Sequence, residues 1–189
     1  MLINRTRKLI YLMIPKTATA SMAEFLFSTG EWDLLREAHT MAIPPGYEDY
    51  KTITMVRNPY ARMVSMWKWY STHPTKKTIV GKMKLEQFIQ FCIAKGPDGI
   101  NGPGGKFPWL FGCQVNFLNQ RPNIVLRLEG LPDCLKHIPG ISLTKRLLKH
   151  RHRLQSKHYT TYYNGRSAKL LLKHSEKDFI VFKYDWRLR

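Results

Sequence analysis

Residues 9–21 read LIYLMIPKTATAS, and this stretch decides the fold class. The apolar run Leu9–Ile14 does not alternate with polar residues, which is typical of a strand buried on both faces in a parallel sheet. Proline and lysine break the run, and apolar residues then return at helical spacing from Ala18 to Thr29, before Gly30. The sequence therefore predicts a strand, a polar loop and a helix in this order.

The same order returns further along the chain. Lys51–Val56 is a second predicted strand, and Asn58-Pro59 predicts the cap and first turn of the helix that follows. The other predicted elements are helices at Leu85–Ala94, Leu143–Lys149 and Arg166–Lys177, a glycine-rich loop at 96–105, a strand at Asn123–Glu129, and a terminal strand or extended segment at Phe179–Tyr184. This alternation favours a three-layer α/β/α fold with a central parallel sheet, in a single domain over residues 1–189.

Composition narrows the class of partner. Lys and Arg total 31 against 13 Asp and Glu, so the formal net charge is +18 and favours polyanions: nucleic acid, acidic lipid, phosphorylated nucleotides or anionic polysaccharide. Cys92, Cys113 and Cys134 form no CxxC pair, so we expect buried thiols in a reducing compartment. No apolar run approaches the ~20 residues of a membrane span, and we expect a cytoplasmic protein.

The loop at residues 15–21 (PKTATAS) has the composition of a phosphate site. The N-terminus of the predicted helix offers unpaired N–H groups and a partial positive charge. Small residues, hydroxyl donors and one mobile charge lie beside it: Lys16, Thr17, Ala18, Thr19, Ala20 and Ser21. The Walker A pattern is absent, because the lysine precedes the turn. The alternative is a capped helix with an exposed lysine.

A second set of residues follows the second predicted strand, in residues 57–65 (RNPYARMVS). Arg57 ends the strand, where ligands of α/β proteins usually bind, and its guanidinium suits phosphate oxygens. Ser65 lies about two turns into the next helix and supplies a hydroxyl. Arg62 is better explained as a solvated charge or a structural ion-pair partner.

These segments resemble those of a known family. Residues 14–21 resemble the 5′-phosphosulfate-binding loop of sulfotransferases that use 3′-phosphoadenosine-5′-phosphosulfate (PAPS), and residues 56–65 resemble their 3′-phosphate-binding segment, V-R-[DN]-P-x-x-R-x-x-S. Residues 125–131 and the tail 159–184 resemble later parts of the smaller carbohydrate-type members. The resemblance implies a P-loop NTPase-like fold and sulfuryl transfer from PAPS to a hydroxyl, expected on a carbohydrate. Ala18 departs from the glycine of many members.

The resemblance also implies which residues bind the donor. Residues 16–21 are expected to hold the 5′ end of PAPS, and Arg57 and Ser65 its 3′-phosphate. Arg153 and Lys157, in the basic segment 145–158, are further candidates near the nucleotide.

Catalysis then needs two further functions. Lys16 is placed to stabilise charge on the leaving phosphate during in-line transfer. A base must accept the proton of the acceptor hydroxyl, and His39 is the expected base with Glu37 as the alternative. The product of the donor would be 3′,5′-adenosine bisphosphate, and no metal is expected.

Two other functional classes stay open on the residues alone. The net charge and the 145–158 segment fit a basic nucleic-acid-binding module, although no zinc finger, RRM signature or basic zipper is visible. A P-loop-type nucleotide kinase is the other, and the missing Walker A motif argues against it.

Overall fold

The computed structural model describes residues 1–36, 42–73, 80–95, 112–118, 120–141 and 157–188. They divide into two compact units, the first within Met1–Arg57 and Phe117–Leu154, the second within Asn58–Asn116 and Gln155–Arg189. The predicted loop at 96–105 and the predicted helix at Leu143–Lys149 lie outside the described residues.

The first unit carries a sheet with five strands in its described residues, in the order β3-β1-β2-β4-β5. The strands are β1 (Leu2–Asn4), β2 (Leu9–Leu12), β3 (Asp33–Leu34), β4 (Lys51–Val56) and β5 (Ile124–Arg127). The three strands predicted from the sequence, β2, β4 and β5, run parallel to one another. They form the predicted parallel part of the sheet, and β1 adds an antiparallel edge that was not predicted, because it pairs antiparallel with both β2 and β3.

The antiparallel edge arises from a short hairpin that the sequence analysis missed. The side-chain oxygen of Asn4 accepts a hydrogen bond from the backbone N–H of Arg7 at 3.0 Å, and Lys8 adopts a left-handed φ of 51°. Glu31 accepts from the Asn4 amide at 3.1 Å and from Arg7 Nε at 2.9 Å. These polar contacts close the turn and reverse the chain before β2 begins.

Strand β2 is buried on both faces, as its unbroken apolar run predicts. Leu9 and Tyr11 belong to the core cluster that also includes residues of α1 (Thr19–Ser28). Ile10 and Leu12 belong to a separate cluster. Because alternate side chains of a strand point to opposite faces, this division places a core on each side of β2.

In its described residues, the second unit has the α-helices α2 (Pro59–Thr72), α3 (Leu85–Lys95), α4 (Gly165–His174) and α5 (Glu176–Phe182). Helix α2 begins as predicted: the side-chain oxygen of Asn58 accepts from the N–H groups of Tyr60 at 2.9 Å and Ala61 at 3.3 Å. Such a cap contributes about 1 kcal/mol. Helix α3 also confirms its prediction and buries Leu85, Phe88, Ile89 and Cys92.

The C-terminal prediction of a strand at Phe179–Tyr184 is wrong, because most of this stretch belongs to α5. Phe179 and Phe182 are buried, whereas Ile180 and Val181 between them are 58% and 53% exposed. Burial at a spacing of three residues is helical and incompatible with alternation along a strand. The predicted helix Arg166–Lys177 is correct in type but is divided at Ser175 into α4 and α5.

Two further findings bear on the expected class of protein. None of the helices in the described part of the chain is long and apolar enough to cross a membrane. Cys92, Cys113 and Cys134 are free thiols, and the first two are buried. Burial raises the pKa of the Cys113 thiol to about 11, with a further contribution from the nearby Asp178 carboxylate, so this thiol stays protonated at neutral pH.

Candidate functional site

The loop between β2 and α1 has an unusual backbone. We call residues 15–18 the lysine loop. Lys16 and Ala18 adopt left-handed φ angles of 67° and 61°, a conformation that costs about 1–2 kcal/mol for a residue with a Cβ atom. Alternation between left-handed and other conformations turns successive N–H groups toward one concavity, which is the geometry of backbone anion sites.

The threonine hydroxyls act differently from the sequence expectation. Thr17 Oγ1 donates to the carbonyl oxygen of Ile14 at 2.8 Å, and Thr19 Oγ1 donates to the same oxygen at 2.6 Å. A hydroxyl carries one proton, so both donors are used within the loop. Thr17 is also completely buried. In this geometry the two hydroxyls fix the loop, and Ser21 retains a hydroxyl that bonds to no described residue.

The N-terminus of α1 has no side-chain cap, because Ala18 occupies the cap position. Its first turn also contains no acidic residue. Asn58 caps α2, and Asn164 with Ser167 forms a capping box at α4. The first N–H groups of α1 therefore lack the side-chain acceptor that these helices have. Uncapped N–H groups together with the helix dipole favour a bound anion.

Arg57 lies at the same sheet edge as the lysine loop. Strands β2 and β4 are adjacent and parallel, so their carboxyl ends share one edge. Arg57 Nη1 donates to the carbonyl oxygen of Lys16 at 3.4 Å. The structure thus brings together Lys16 and Arg57, the charged residues that follow the two strands.

Ser65 lies in the second unit, on α2, and is partly buried. Its hydroxyl makes no hydrogen bond to any described residue. Ser71 and Thr72 on the same helix donate back to the carbonyl oxygens of Trp67 and Lys68, both at 2.9 Å. Ser65 therefore keeps a donor that Ser71 and Thr72 use within the helix.

Arg62 is a structural residue. It is only 4% exposed, and its Nη1 donates to the carbonyl oxygen of Gly112 at 2.9 Å. The buried Asp178 carboxylate accepts from the backbone N–H groups of Gln114 at 2.8 Å and Val115 at 3.0 Å. Burial raises the pKa of Asp178, while the Arg62 charge and these donors act in the opposite direction. Arg62 and Asp178 therefore stabilise the core of the second unit.

Several predicted site residues lie outside the described residues: His39, Glu37 and Arg153. Lys157 is described and exposed, just before the short 3-10 helix Tyr159–Tyr162. Within the described ranges, no group of three or more His, Cys, Asp or Glu side chains is arranged to hold a metal ion.

Lys68, one helical turn after Ser65, was not among the residues predicted from the sequence. Its ammonium group donates to the hydroxyl of Tyr162 at 2.7 Å, and the nitrogen lies 4.3 Å from the centre of that ring. The spacing of three residues places Ser65 and Lys68 on one face of α2, and this spacing was a readable signal in the sequence.

Comparison with known proteins adds one finding. Residues 1–98, just over half of the chain, match the family model described as the sulfotransferase family. The matched segment includes the lysine loop, Arg57 and Ser65. Neither the curated proteins nor the solved structures give a significant match.

Proposed function

The chain belongs to the sulfotransferase family, and we propose that it transfers a sulfuryl group from PAPS to a hydroxyl group of a carbohydrate acceptor. Family membership establishes a transferase of sulfuryl groups in general. The donor, the acceptor class and the catalytic base are our proposal, as is the assignment of residues 1–189 to one domain with a three-layer, P-loop-like arrangement. The parallel strands β2, β4 and β5 support that arrangement.

The observation that carries the proposal is the contact between Arg57 and the lysine loop. Each residue follows a strand of the parallel part of the sheet, and the guanidinium reaches the Lys16 carbonyl. PAPS carries one anionic group at each end of its adenosine, at the 5′ and 3′ positions. Two cationic side chains at one sheet edge suit such a donor, because ligands of parallel α/β sheets bind at the carboxyl ends of strands.

The 5′ end of the donor fits the lysine loop and the start of α1. Backbone N–H groups of residues 16–21 and the Ser21 hydroxyl are the proposed donors to its oxygens. The Thr17 and Thr19 side chains hold the loop through Ile14. The Lys16 ammonium would stabilise the negative charge that grows on the leaving phosphate.

The 3′-phosphate is assigned to Arg57 and Ser65 on the basis of the sequence motif. The partly exposed Arg57 and the unbonded hydroxyl of Ser65 suit this role. Arg153 and Lys157 remain proposed contacts near the nucleotide, and the exposure of Lys157 is compatible with that role.

The acceptor hydroxyl needs a base, and His39 is the proposed one because imidazole titrates near neutral pH. The carbohydrate class of the acceptor rests on the resemblance of the tail, residues 159–184, to carbohydrate-type members. We also propose a cytoplasmic location. It is supported by Cys92, Cys113 and Cys134, which are free thiols and suit a reducing compartment.

The proposal is tested by ligand binding and by transfer. Calorimetry should detect binding of 3′,5′-adenosine bisphosphate, and at 100 times its Kd this ligand should stabilise the protein by ~2.7 kcal/mol. ATP and an oligonucleotide should give much smaller shifts. Incubation with PAPS and a panel of neutral and anionic oligosaccharides should yield a sulfated product by mass spectrometry.

Two matched pairs of variants locate the site. Lys16→Met and Arg57→Gln should weaken bisphosphate binding by roughly 10–100-fold, because each removes a charge-assisted hydrogen bond. The exposed residues Lys51 and Arg121 of the same unit are the controls, and Lys51→Met and Arg121→Gln should leave the affinity unchanged. Stabilisation by the oligonucleotide alone, or equal losses in site and control variants, would refute the donor assignment.

A further inference from the structure

Lys68 lies in a defined environment within the second unit. Its side chain is partly buried, and its ammonium is fixed by the Tyr162 hydroxyl. The Tyr162 ring packs edge-on against Trp67, with 5.8 Å between ring centres. Such contacts restrict both side chains to one arrangement. The lysine is thus held in place, unlike a fully solvated surface lysine.

The charge of Lys68 has no anionic partner among the described residues. Its only hydrogen bond there goes to a neutral phenol. An ammonium group has three N–H donors, so two remain for other acceptors. Removing a charge from water is unfavourable without an opposite charge, so the partly buried ammonium group of Lys68 is a suitable position for an anion.

Ser65 and Tyr162 supply hydroxyl donors close to the same place. Ser65 lies one helical turn before Lys68 on the same face of α2, and its hydroxyl bonds to no described residue. The Tyr162 hydroxyl accepts from Lys68 and donates to no described residue, so its own proton is also available. One cation and two hydroxyl donors match the needs of a phosphate monoester.

We propose that Lys68 is a further ligand of the donor's 3′-phosphate, and that Tyr162 orients its ammonium group. This inference rests on the proposed function, in which Ser65 binds the same phosphate. It adds a charged ligand one turn further along α2, and it gives the 157–162 segment a function through Tyr162. Tyr163 anchors that segment by donating its hydroxyl to the carbonyl oxygen of Tyr60 at 2.9 Å.

The test compares two nucleotides that differ only in the 3′-phosphate: 3′,5′-adenosine bisphosphate and 5′-AMP. Calorimetry on the full chain should show that Lys68→Met lowers the affinity for the bisphosphate by roughly 10–100-fold. The same variant should lower the affinity for 5′-AMP by less than about twofold. Lys68→Arg keeps the charge and should retain most of the affinity. Tyr162→Phe keeps the ring but loses the hydroxyl. It should lower the affinity for the bisphosphate alone, and by a smaller factor than Lys68→Met.

Lys169→Met is the matched control, because Lys169 is an exposed lysine of the same unit that contacts no described anion. It should leave both affinities unchanged. If Lys68→Met lowered the affinity for both nucleotides equally, Lys68 would act through the fold or through the overall electrostatic potential of the protein. That result would overturn the assignment. Unchanged affinity for the bisphosphate would overturn it as well.

The outcomes also separate this inference from the proposed function. If the wild-type chain binds the bisphosphate more tightly than 5′-AMP, and Ser65→Ala reduces that preference while Lys68→Met does not, only the Lys68 assignment is lost. If the wild-type chain shows no preference for the bisphosphate, the 3′-phosphate site and the role of Lys68 are both refuted. Should Lys68→Met fail to fold, Lys68→Arg and Tyr162→Phe still decide the question.

Discussion

Replacement of Ala18 by glycine should stabilise the protein. Ala18 has φ 61° and ψ 29°, and the left-handed conformation costs a residue with a Cβ atom about 1–2 kcal/mol. Glycine adopts it freely but loses roughly 0.5–1 kcal/mol more backbone entropy on folding. The difference predicts that Ala18→Gly raises the free energy of unfolding by about 0.5–1 kcal/mol. For a chain of this size, Tm should rise by roughly 1–4 °C.

Ala20→Gly is the matched control, two residues further along. Ala20 is exposed, lies within α1 and has no positive φ. Glycine there should lower the stability by up to about 1 kcal/mol. Thermal and urea unfolding without ligand should therefore show changes in stability of opposite sign for the two variants. A fall in Tm for Ala18→Gly, or equal changes in the two variants, would contradict the left-handed conformation of the lysine loop.

Three other predictions follow from the described contacts. Thr17→Val keeps the shape of the side chain but removes a buried hydrogen bond, so it should lower the free energy of unfolding by about 1 kcal/mol, and an unchanged value in urea unfolding would refute the role of that bond. Asp178→Asn should cost about 1–3 kcal/mol in the same assay, because an amide nitrogen cannot accept the hydrogen bonds that the carboxylate accepts from the N–H groups of Gln114 and Val115, and an unchanged free energy of unfolding would refute this role. Hydrogen bonds from Arg7 and Asn4 lower the pKa of Glu31, so its contribution to stability should be present above pH ~4.3 and lost as the pH falls through the lower folded-state pKa. Glu31→Gln should flatten this part of the curve of stability against pH.

The parallel part of the sheet could be predicted because β2 and β4 can be recognised from their own residues and those directly beside them. Leu9–Leu12 has no polar residue, and Lys51–Val56 is followed at once by an asparagine cap and a proline. These signals depend on neighbouring residues only, so no tertiary information is needed to read them. The placement of Lys16 and Arg57 at strand ends followed from the same reading.

The antiparallel edge could not be predicted in this way. Strand β1 has three residues and β3 has two, and neither is long enough to show a period. Their pairing depends on a polar turn in which Asn4, Arg7 and Glu31 meet. Glu31 is distant in sequence from the other two, and no local pattern links them.

The C-terminal apolar run led to the wrong type of secondary structure. Phe179–Phe182 reads FIVF and has strong β propensity, but Asp178 and the two phenylalanines are buried together while the residues between them stay exposed. The tertiary contacts of Asp178 with Gln114 and Val115 decide the outcome. The helical spacing of Asp178, Phe179 and Phe182 was visible in the sequence and was the better guide.

For the candidate site, the sequence showed which charged residues follow the strands, but not which contacts the side chains make in the fold. Thr17 and Thr19 were expected as ligands, yet both hydroxyls donate to the carbonyl oxygen of Ile14, and Thr17 is fully buried. The spacing of Lys68 from Ser65 was visible in the sequence, but its contact with Tyr162, which lies 94 positions away, was not. Contacts between residues so far apart are set by the packing of elements and have no local signature.

The two arginines of the VRNPYARMVS segment carry a practical lesson for mutagenesis. Arg57 is partly exposed at the sheet edge, whereas Arg62 is buried and donates to the Gly112 carbonyl. A screen that records only lost turnover would score both positions alike. Measurements of soluble yield and melting would separate them: a change at Arg62 should reduce the amount of folded enzyme, and a change at Arg57 should leave a well-folded enzyme that no longer retains its donor.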